Sequence, residues 1–254
     1  SKAYPKWIRT LVDRKKADIV MLQELWHYSD LASIHAALSS DFILAKGLGS
    51  SRVLNEFGLG LWIKKSILKD PSENHLPGVL YDFRNSDGKT QRPLPEQIFG
   101  FRRGFLSTVI ELKDGTRISV TNTHLSHVSS YVEAERSDYL KRIYQAQTLS
   151  HFLESQRRKA DYALVGGDMN FSPYFNFAKP TEENLRTIFE LNKVPFVMFA
   201  GTSMLTDTWI ARNGLTDSPS WRGNNSLVRA GDSAVEPDQR LDPSFSVIEI
   251  PRAN

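Results

Sequence analysis

The chain has 254 residues, 40% of them hydrophobic and 24% charged, with a formal net charge of +3 and no cysteine. Such a composition can bury a sizeable core, and it excludes a disordered chain, a disulfide scaffold and a thiolate metal site. No apolar run nears the ~20 residues a membrane helix requires, Ser1–Trp7 is too polar for a signal peptide, and the mild positive charge forms no clustered Lys/Arg face of a committed nucleic-acid binder.

In chain order, Pro5 to Lys15 predicts a helix, with Trp7-Ile8 and Leu11-Val12 recurring on one face. Asp18 to Leu22 predicts a strand. Ser29-Asp30 then caps a second helix from Leu31 to Leu38. Phe42 to Ala45 is a short strand, Gly47 to Glu56 a glycine- and serine-rich loop, and Gly58 to Lys64 another strand. Four prolines and Asn85-Ser86-Asp87-Gly88 fill Asp70 to Pro95, so turns and hairpin ends should dominate there. Leu106 to Leu112 and Arg117 to Asn122 form a hairpin about a two-residue Asp114-Gly115 turn. Ser129 to Gln156 is the longest predicted helix, with Leu140, Ile143, Tyr144, Leu149 and Leu153 apolar. Tyr162 to Val165 is a buried strand. Helices and strands alternate around a hairpin, which indicates an α/β (α+β) chain with mixed rather than purely parallel sheets. Residues 1–254 read as a single domain.

Three of these strands run into polar residues. Leu164-Val165-Gly166-Gly167 opens onto Asp168-Met169-Asn170; Ala17 to Leu22 delivers Gln23-Glu24; and Arg117 to Thr123 ends in His124. The carboxyl ends of strands are where α/β sheets place their chemistry. Taken singly, a Gly-Asp-x-Asn is as often a turn with Asx caps, a strand-end Glu a surface carboxylate, and a lone His a satisfied core residue. Together these hard oxygen and imidazole groups suit a divalent cation acting on a phosphate, since Mg²⁺ takes one or two carboxylates plus substrate oxygens.

The order Leu-Gln-Glu, Thr-His-Leu, Gly-Asp-x-Asn resembles the endonuclease/exonuclease/phosphatase superfamily, with neutral sphingomyelinases the nearest likeness. Gly60 to Ile67 resembles their Gly-x-x-x-x-Ser-Lys-x-Pro-Ile strand and turn, Arg103-Gly104-Phe105 their Lys-Gly-Phe, and Tyr139-Leu140 with Arg142 to Gln147 their long helix. Arg240-Leu241-Asp242 is similar to the superfamily's Arg-Ile/Leu-Asp strand. The resemblance implies a four-layer αββα sandwich of two mixed sheets with helices outside. It implies Glu24 as ligand of Mg²⁺ or another divalent cation, and His124 as a hydrogen-bond donor to phosphoryl oxygens. Asp168 would position the attacking water, Asn170 would fix the scissile phosphate, and Asp242 would orient a catalytic histidine. The implied activity is metal-dependent phosphodiester hydrolysis on a sphingomyelin-like membrane phospholipid. A nuclease acting on DNA, an inositol-phosphate phosphatase and a non-catalytic binding protein are the alternatives.

Two departures accompany the likeness. The family's first strand, which carries a metal-binding Asn, has no counterpart before Tyr4-Pro5. A tract holding Ser-Asp-His is missing between Asp242 and Pro243, and the last histidine of the chain is His151. Either the chain is part of a longer protein with mobile active-site loops, or catalysis has been lost. The joint presence of Glu24, His124, Asp168 and Asn170 favours the first. His127 lies three residues past His124 and reads as a surface residue; Asp232, Glu236 and Asp238 read as a solvated loop, their spacing matching no EF-hand. Trp26, Tyr28 and Phe57 read as core before lipid contacts. Arg157-Arg158-Lys159 complements the helix dipole. Oligomeric state and compartment are not fixed by sequence; a soluble chain, secreted or at a membrane surface, fits.

Overall fold

A computed structural model describes residues 3–47, 55, 57–72, 75–83, 102–126, 136–156, 158–170, 175–176, 206–207, 212, 238–239 and 245–246. The chain divides into two compact units: the first holds Ser1–Thr123, Gln156–Gly167 and Glu249–Asn254, the second His124–Ser155 and Asp168–Ile248.

In the first unit, helix α1 (Ala3–Lys15) leads into β1 (Ile19–Leu22), followed by α2 (Tyr28–Leu38), β2 (Phe42–Gly47) and β3 (Gly60–Lys64). A 3-10 turn over Lys65–Ile67 precedes β4 (His75–Asp82), β5 (Gly104–Glu111), β6 (Arg117–His124) and β7 (Tyr162–Asp168). These seven strands lie in the order β1-β3-β2-β4-β5-β6-β7. The strands of the β1-β3-β2 layer are apolar through Ile19–Leu22, Phe42–Ala45 and Leu61–Ile63 because both faces are covered there. Val20, Phe42, Leu44 and Trp62 face outward onto Ile8 and Val12 of α1 and Ile34 and Leu38 of α2. Their alternate neighbours Ile43, Ala45, Leu61 and Ile63 join Leu106, Ile110 and Val120 of β5 and β6 in a second core. This is the continuous apolar run that a strand buried on both faces requires.

The layer must fold back on itself. In a flat sheet, strands five places apart would lie roughly 24 Å apart at about 4.8 Å per step. Yet the Asn122 amide on β6 donates to the Leu22 carbonyl of β1 at 3.0 Å and the Gly60 carbonyl of β3 at 2.8 Å. The fold-back occurs at β4. Its first half pairs parallel with β2, from Leu44↔His75 to Gly47↔Gly78. Its second half pairs antiparallel with β5, from Val79↔Ser107 to Asp82↔Gly104. Within Asp70 to Pro95, where the sequence indicates turns, His75–Asp82 instead forms an eight-residue strand that contains Pro77; residues 84–95 lie outside the described residues. Pro77 is tolerated because the strand changes partners one residue later, so neither ladder runs through the whole segment.

Two further differences, and the end of α1 where it was expected, have local causes. Helix α2 begins at Tyr28 with His27 as its flanking residue, and no side chain caps it; the Ser29 carbonyl accepts from the Ser33 hydroxyl inside the helix instead. The β5–β6 turn has three residues, Lys113–Gly115, between paired Leu112 and Thr116, with Gly115 left-handed at φ 87°. That is a type I turn plus a left-handed residue rather than a two-residue loop. Helix α1 ends in a reciprocal cap: Ala17 donates to the Val12 carbonyl and Lys16 to that of Asp13, which turns Lys16 left-handed at φ 52°.

In the second unit, helix α3 (Arg136–Gln156) falls within the span predicted for the longest helix; residues 127–135 lie outside the described residues. Its buried stripe is Arg142, Gln145, Ala146, Leu149 and Leu153, at helical spacing. Leu140, expected in that stripe, is 52% exposed. Arg142 and Gln145 take its place because both have partners in the loop after β6. Two short ladders complete the unit: β8 (Phe175–Asn176) with β10 (Asp238–Gln239), and β9 (Thr206–Asp207) with β11 (Phe245–Ser246), both antiparallel. Asp238 therefore sits in a strand; Asp232 and Glu236, like His127 and Asp242, lie outside the described residues.

Candidate active site

Among the described residues, three that are not glycine have positive φ: Lys16, Glu24 at 60° and Asn170 at 51°. Lys16 closes a helix. The other two are strand-exit residues singled out by sequence. A left-handed backbone costs a non-glycine residue about 1–2 kcal/mol, with Asn the least penalised and Glu having no such excuse. Strain of this kind persists only where the surroundings impose it.

At Glu24 the surroundings are explicit. The Leu25 amide donates to the Gly58 carbonyl at 2.9 Å, and Asn55 donates to the carbonyl of Trp26 at 3.0 Å. Gly58 is itself left-handed at φ 61°, and a Cβ there would lie 2.7 Å from the Trp26 ring. On the other side, Gln23 donates to the Asn122 Oδ1 at 2.6 Å. The backbone is thus fixed before and after Glu24, while its carboxylate is exposed and makes no hydrogen bond or ion pair with a described residue. The Arg103 guanidinium stacks over Trp26, 5.6 Å from the ring centroid, in cation–π range, so buried Arg103 marks the Arg-Gly-Phe tract as a neighbour of this turn. Phe57 belongs to the core, as expected, with Arg102 over its ring at 6.0 Å.

Asn122 was not among the residues singled out by sequence. It is wholly buried and uses both ends of its amide: two donations to backbone carbonyls and one acceptance from Gln23. The signal was there to read, since a lone carboxamide inside a β-branched strand has to be satisfied by something. Asn122→Ala should cost about 3 kcal/mol, because two carbonyls and Gln23 lose their partner together. Urea unfolding measures this, and a loss below about 1 kcal/mol would contradict the pinning role.

The second unit brings His124, Asp168 and Asn170 together. His124 is 3% exposed, and its Nε2 lies 3.6 Å from the Asp168 Oδ2, within electrostatic reach but beyond a hydrogen bond. The other carboxylate oxygen, Oδ1, accepts the Asn170 backbone N–H at 2.9 Å, an Asx turn that holds Asn170 left-handed. The Asn170 amide donates to the Leu125 carbonyl at 2.8 Å, and the Leu125 N–H donates to the Asp168 carbonyl at 2.9 Å. Behind this ring, Gln145 accepts the Ser126 N–H and donates to its hydroxyl, both at 2.9 Å, and the Arg142 Nε donates to the Ser126 carbonyl at 3.0 Å. Helix α3 thereby fixes Ser126, the second residue after His124.

A metal was expected, and the donor chemistry fits one. Carboxylate and carboxamide oxygens are the hard ligands Mg²⁺ prefers, and Mg²⁺ needs only one or two protein carboxylates. An exposed Glu24 on a rigid, strained turn meets that need. Among the described residues no three His, Asp or Glu side chains group as a self-sufficient cage. Nor is any described helix long and apolar enough to cross a membrane.

The model of a family described as endonuclease/exonuclease/phosphatase matches residues 2–228. No curated protein sequence matches the chain. Among solved structures, beta toxin from Staphylococcus aureus is 18% identical over 92% of this chain and 73% of its own, with a TM-score of 0.62. Sphingomyelinase C from Streptomyces griseocarneus is 16% identical over 97% and 76%, also with a TM-score of 0.62. D. rerio TDP2 complexed with single strand DNA product is 14% identical over 98% and 78%, with a TM-score of 0.57. These likenesses show the fold, the four-layer αββα sandwich expected from the sequence.

Proposed function

The chain belongs to the endonuclease/exonuclease/phosphatase family, and from that premise we propose that it is a divalent-metal-dependent phosphodiesterase with a sphingomyelin-like phospholipid as substrate. The observation that carries the reading is the grouping of His124, Asp168 and Asn170: hydrogen bonds link Asp168, Asn170 and Leu125, the His124 Nε2 lies 3.6 Å from Asp168, and α3 holds Ser126 behind them. Phosphoryl transfer needs little covalent chemistry from a protein; positioning and stabilisation of charge do most of the work.

Each group has a role that its surroundings suit. His124, almost buried, donates a hydrogen bond to a phosphoryl oxygen as negative charge builds there, an interaction strengthened by exclusion of water. Asp168 accepts a proton-bearing bond from the attacking water and so aims it in line with the scissile bond. Asn170, its backbone locked by Asp168, presents its amide to the phosphate at a fixed angle. Glu24 would hold the metal, which when bound supplies Lewis-acid polarisation of the phosphoryl group. Asp242 is proposed to orient a catalytic histidine, as in the family pattern. The single-domain reading of 1–254 is carried forward as part of this proposal.

Support for the lipid over DNA comes from the sphingomyelinase-like tracts. Gly60 to Ile67 forms β3 and its 3-10 turn, and Arg103-Gly104-Phe105 opens β5. A formal net charge of +3 is mild for a chain that would track a nucleic-acid backbone. The test is a side-by-side assay of the intact protein on sphingomyelin vesicles, abasic DNA, an inositol phosphate and a simple phosphodiester, with Mg²⁺ and with chelator. Sphingomyelin should be cleaved fastest, chelator should bring turnover to background, and added Mg²⁺ should restore it. Faster cleavage of DNA would replace the lipid reading with a nuclease; inactivity on every substrate would favour a binding protein.

A further inference from the structure

Away from Glu24, the first unit contains a cavity of about 250 Å³ beneath helix α2, at the place where β4 crosses from one layer to the other. Leu31, Leu59, Leu80 and Leu106 form apolar walls, and His35 and Lys46 also line it. Lys46 donates to the His75 Nε2 at 2.7 Å, and the His35 and His75 rings lie 6.2 Å apart. Among the described residues, the titratable groups acting on His35 are His75, Lys46 and Lys65, all of them bases. Burial, then these basic neighbours, pushes the His35 imidazole below its ordinary pKa, and burial followed by Lys46 does the same for His75. The Nδ1 of His35 is sealed from solvent and has no hydrogen-bond partner among the described residues. Buried polar atoms are nearly always partnered, so an orphaned ring nitrogen beside an apolar cavity needs explaining.

We infer that this cavity is a binding site for a small anionic amphiphile, its single short alkyl chain against the leucines and its acidic head among Lys46, His35 and His75. The charge pattern selects the head: among the described residues the titratable groups acting on His35 are all bases and none is a carboxylate, and the Lys46 ammonium favours an anion and repels a cation. The lining selects the tail, since a bare inorganic anion would leave the leucine walls without a partner. Size selects a single chain: ligand pockets usually span about 300–1,000 Å³, and this one lies below that range. The site is independent of the hydrolytic reading, because none of its residues belongs to the proposed catalytic set.

Calorimetric titration of the intact protein tests it, with octanoate, octyl phosphate, octylammonium, octanol and inorganic phosphate as probes, all below micellar concentrations. Octanoate or octyl phosphate should bind, and which of the two is tighter identifies the head as carboxylate or phosphate. Lys46→Glu should weaken binding on the order of tenfold, as expected for loss of one charge-assisted contact. Ala32→Trp, which fills the mouth from exposed α2, should abolish it. NMR provides a reading that does not depend on variants: the His35 and His75 ring resonances of the unmodified protein should move with the titration. Comparable binding of octanol or octylammonium, comparable binding of inorganic phosphate, absence of binding by either alkyl anion, or binding that leaves both histidine rings unmoved would each overturn the inference.

Discussion

Replacing Glu24 by glycine should stabilise the protein while abolishing its metal-dependent turnover. The two effects come from the same residue and have opposite signs. Glutamate at φ 60° carries about 1–2 kcal/mol of backbone strain, which glycine relieves. Glycine's extra chain entropy in the unfolded state takes back about 0.5–1 kcal/mol, so the net gain should be about 0.5–1 kcal/mol. No side-chain partner is lost, because the carboxylate meets only solvent among the described residues. Turnover should fall by about 10³-fold or more: Lewis-acid stabilisation is worth several kcal/mol, and each 1.36 kcal/mol is a factor of ten in rate. Glu24→Gln separates the contributions, keeping the strain and the shape while losing the charge; its stability should be unchanged within about 0.5 kcal/mol and its activity lost. Melting curves with and without Mg²⁺, beside the rate, make the measurement. A Glu24→Gly protein that still turns over with Mg²⁺ would remove Glu24 from the metal site.

The largest structural effect should come from a single methyl group. Gly167 sits at φ +129°, a region that side chains rarely enter, one residue before Asp168. A Cβ there would lie 2.0 Å from the Thr123 carbonyl oxygen and 3.0 Å from the Asn122 Oδ1. Neither neighbour can yield cheaply, since one is the backbone of β6 and the other is the amide that pins β1 and β3. Gly167→Ala therefore combines backbone strain with overpacking, for about 3 kcal/mol or more of lost stability. Turnover should fall in the fraction that remains folded, because Asp168 and the residue before His124 must both shift. Urea unfolding at saturating Mg²⁺ with parallel kinetics checks both halves; a variant within about 1 kcal/mol of the parent would show that β6 and β7 are less closely packed than their geometry implies.

Much of the site was legible because its residues stand at strand exits. An apolar run that stops at Glu24, His124 or Asp168 marks where a sheet releases the chain, and two glycines before Asp168 announced a close approach of backbone. The left-handed strain at Glu24 was not legible, since nothing in its side chain favours that conformation. Asn122 was passed over because its importance lies in three partners, 99, 100 and 62 residues away along the chain. Arg142 and Gln145 are polar side chains that a helical pattern alone would place toward solvent, and hydrogen bonds to Ser126 help to turn them inward. Strand β4 was hidden for a related reason: Pro77 argues locally against a strand, and a change of partner at mid-strand overrides it.

Local chemistry alone, then, determined the helices, the doubly buried strands, the mixed α/β class and the residue types offered for phosphate chemistry, because periodicity and strand ends are properties of near neighbours in sequence. Tertiary structure decided which backbone is strained, which amide joins three strands and which polar residues of α3 turn inward. Those outcomes depend on satisfying buried hydrogen bonds between segments far apart in the chain, and no local pattern encodes the partner.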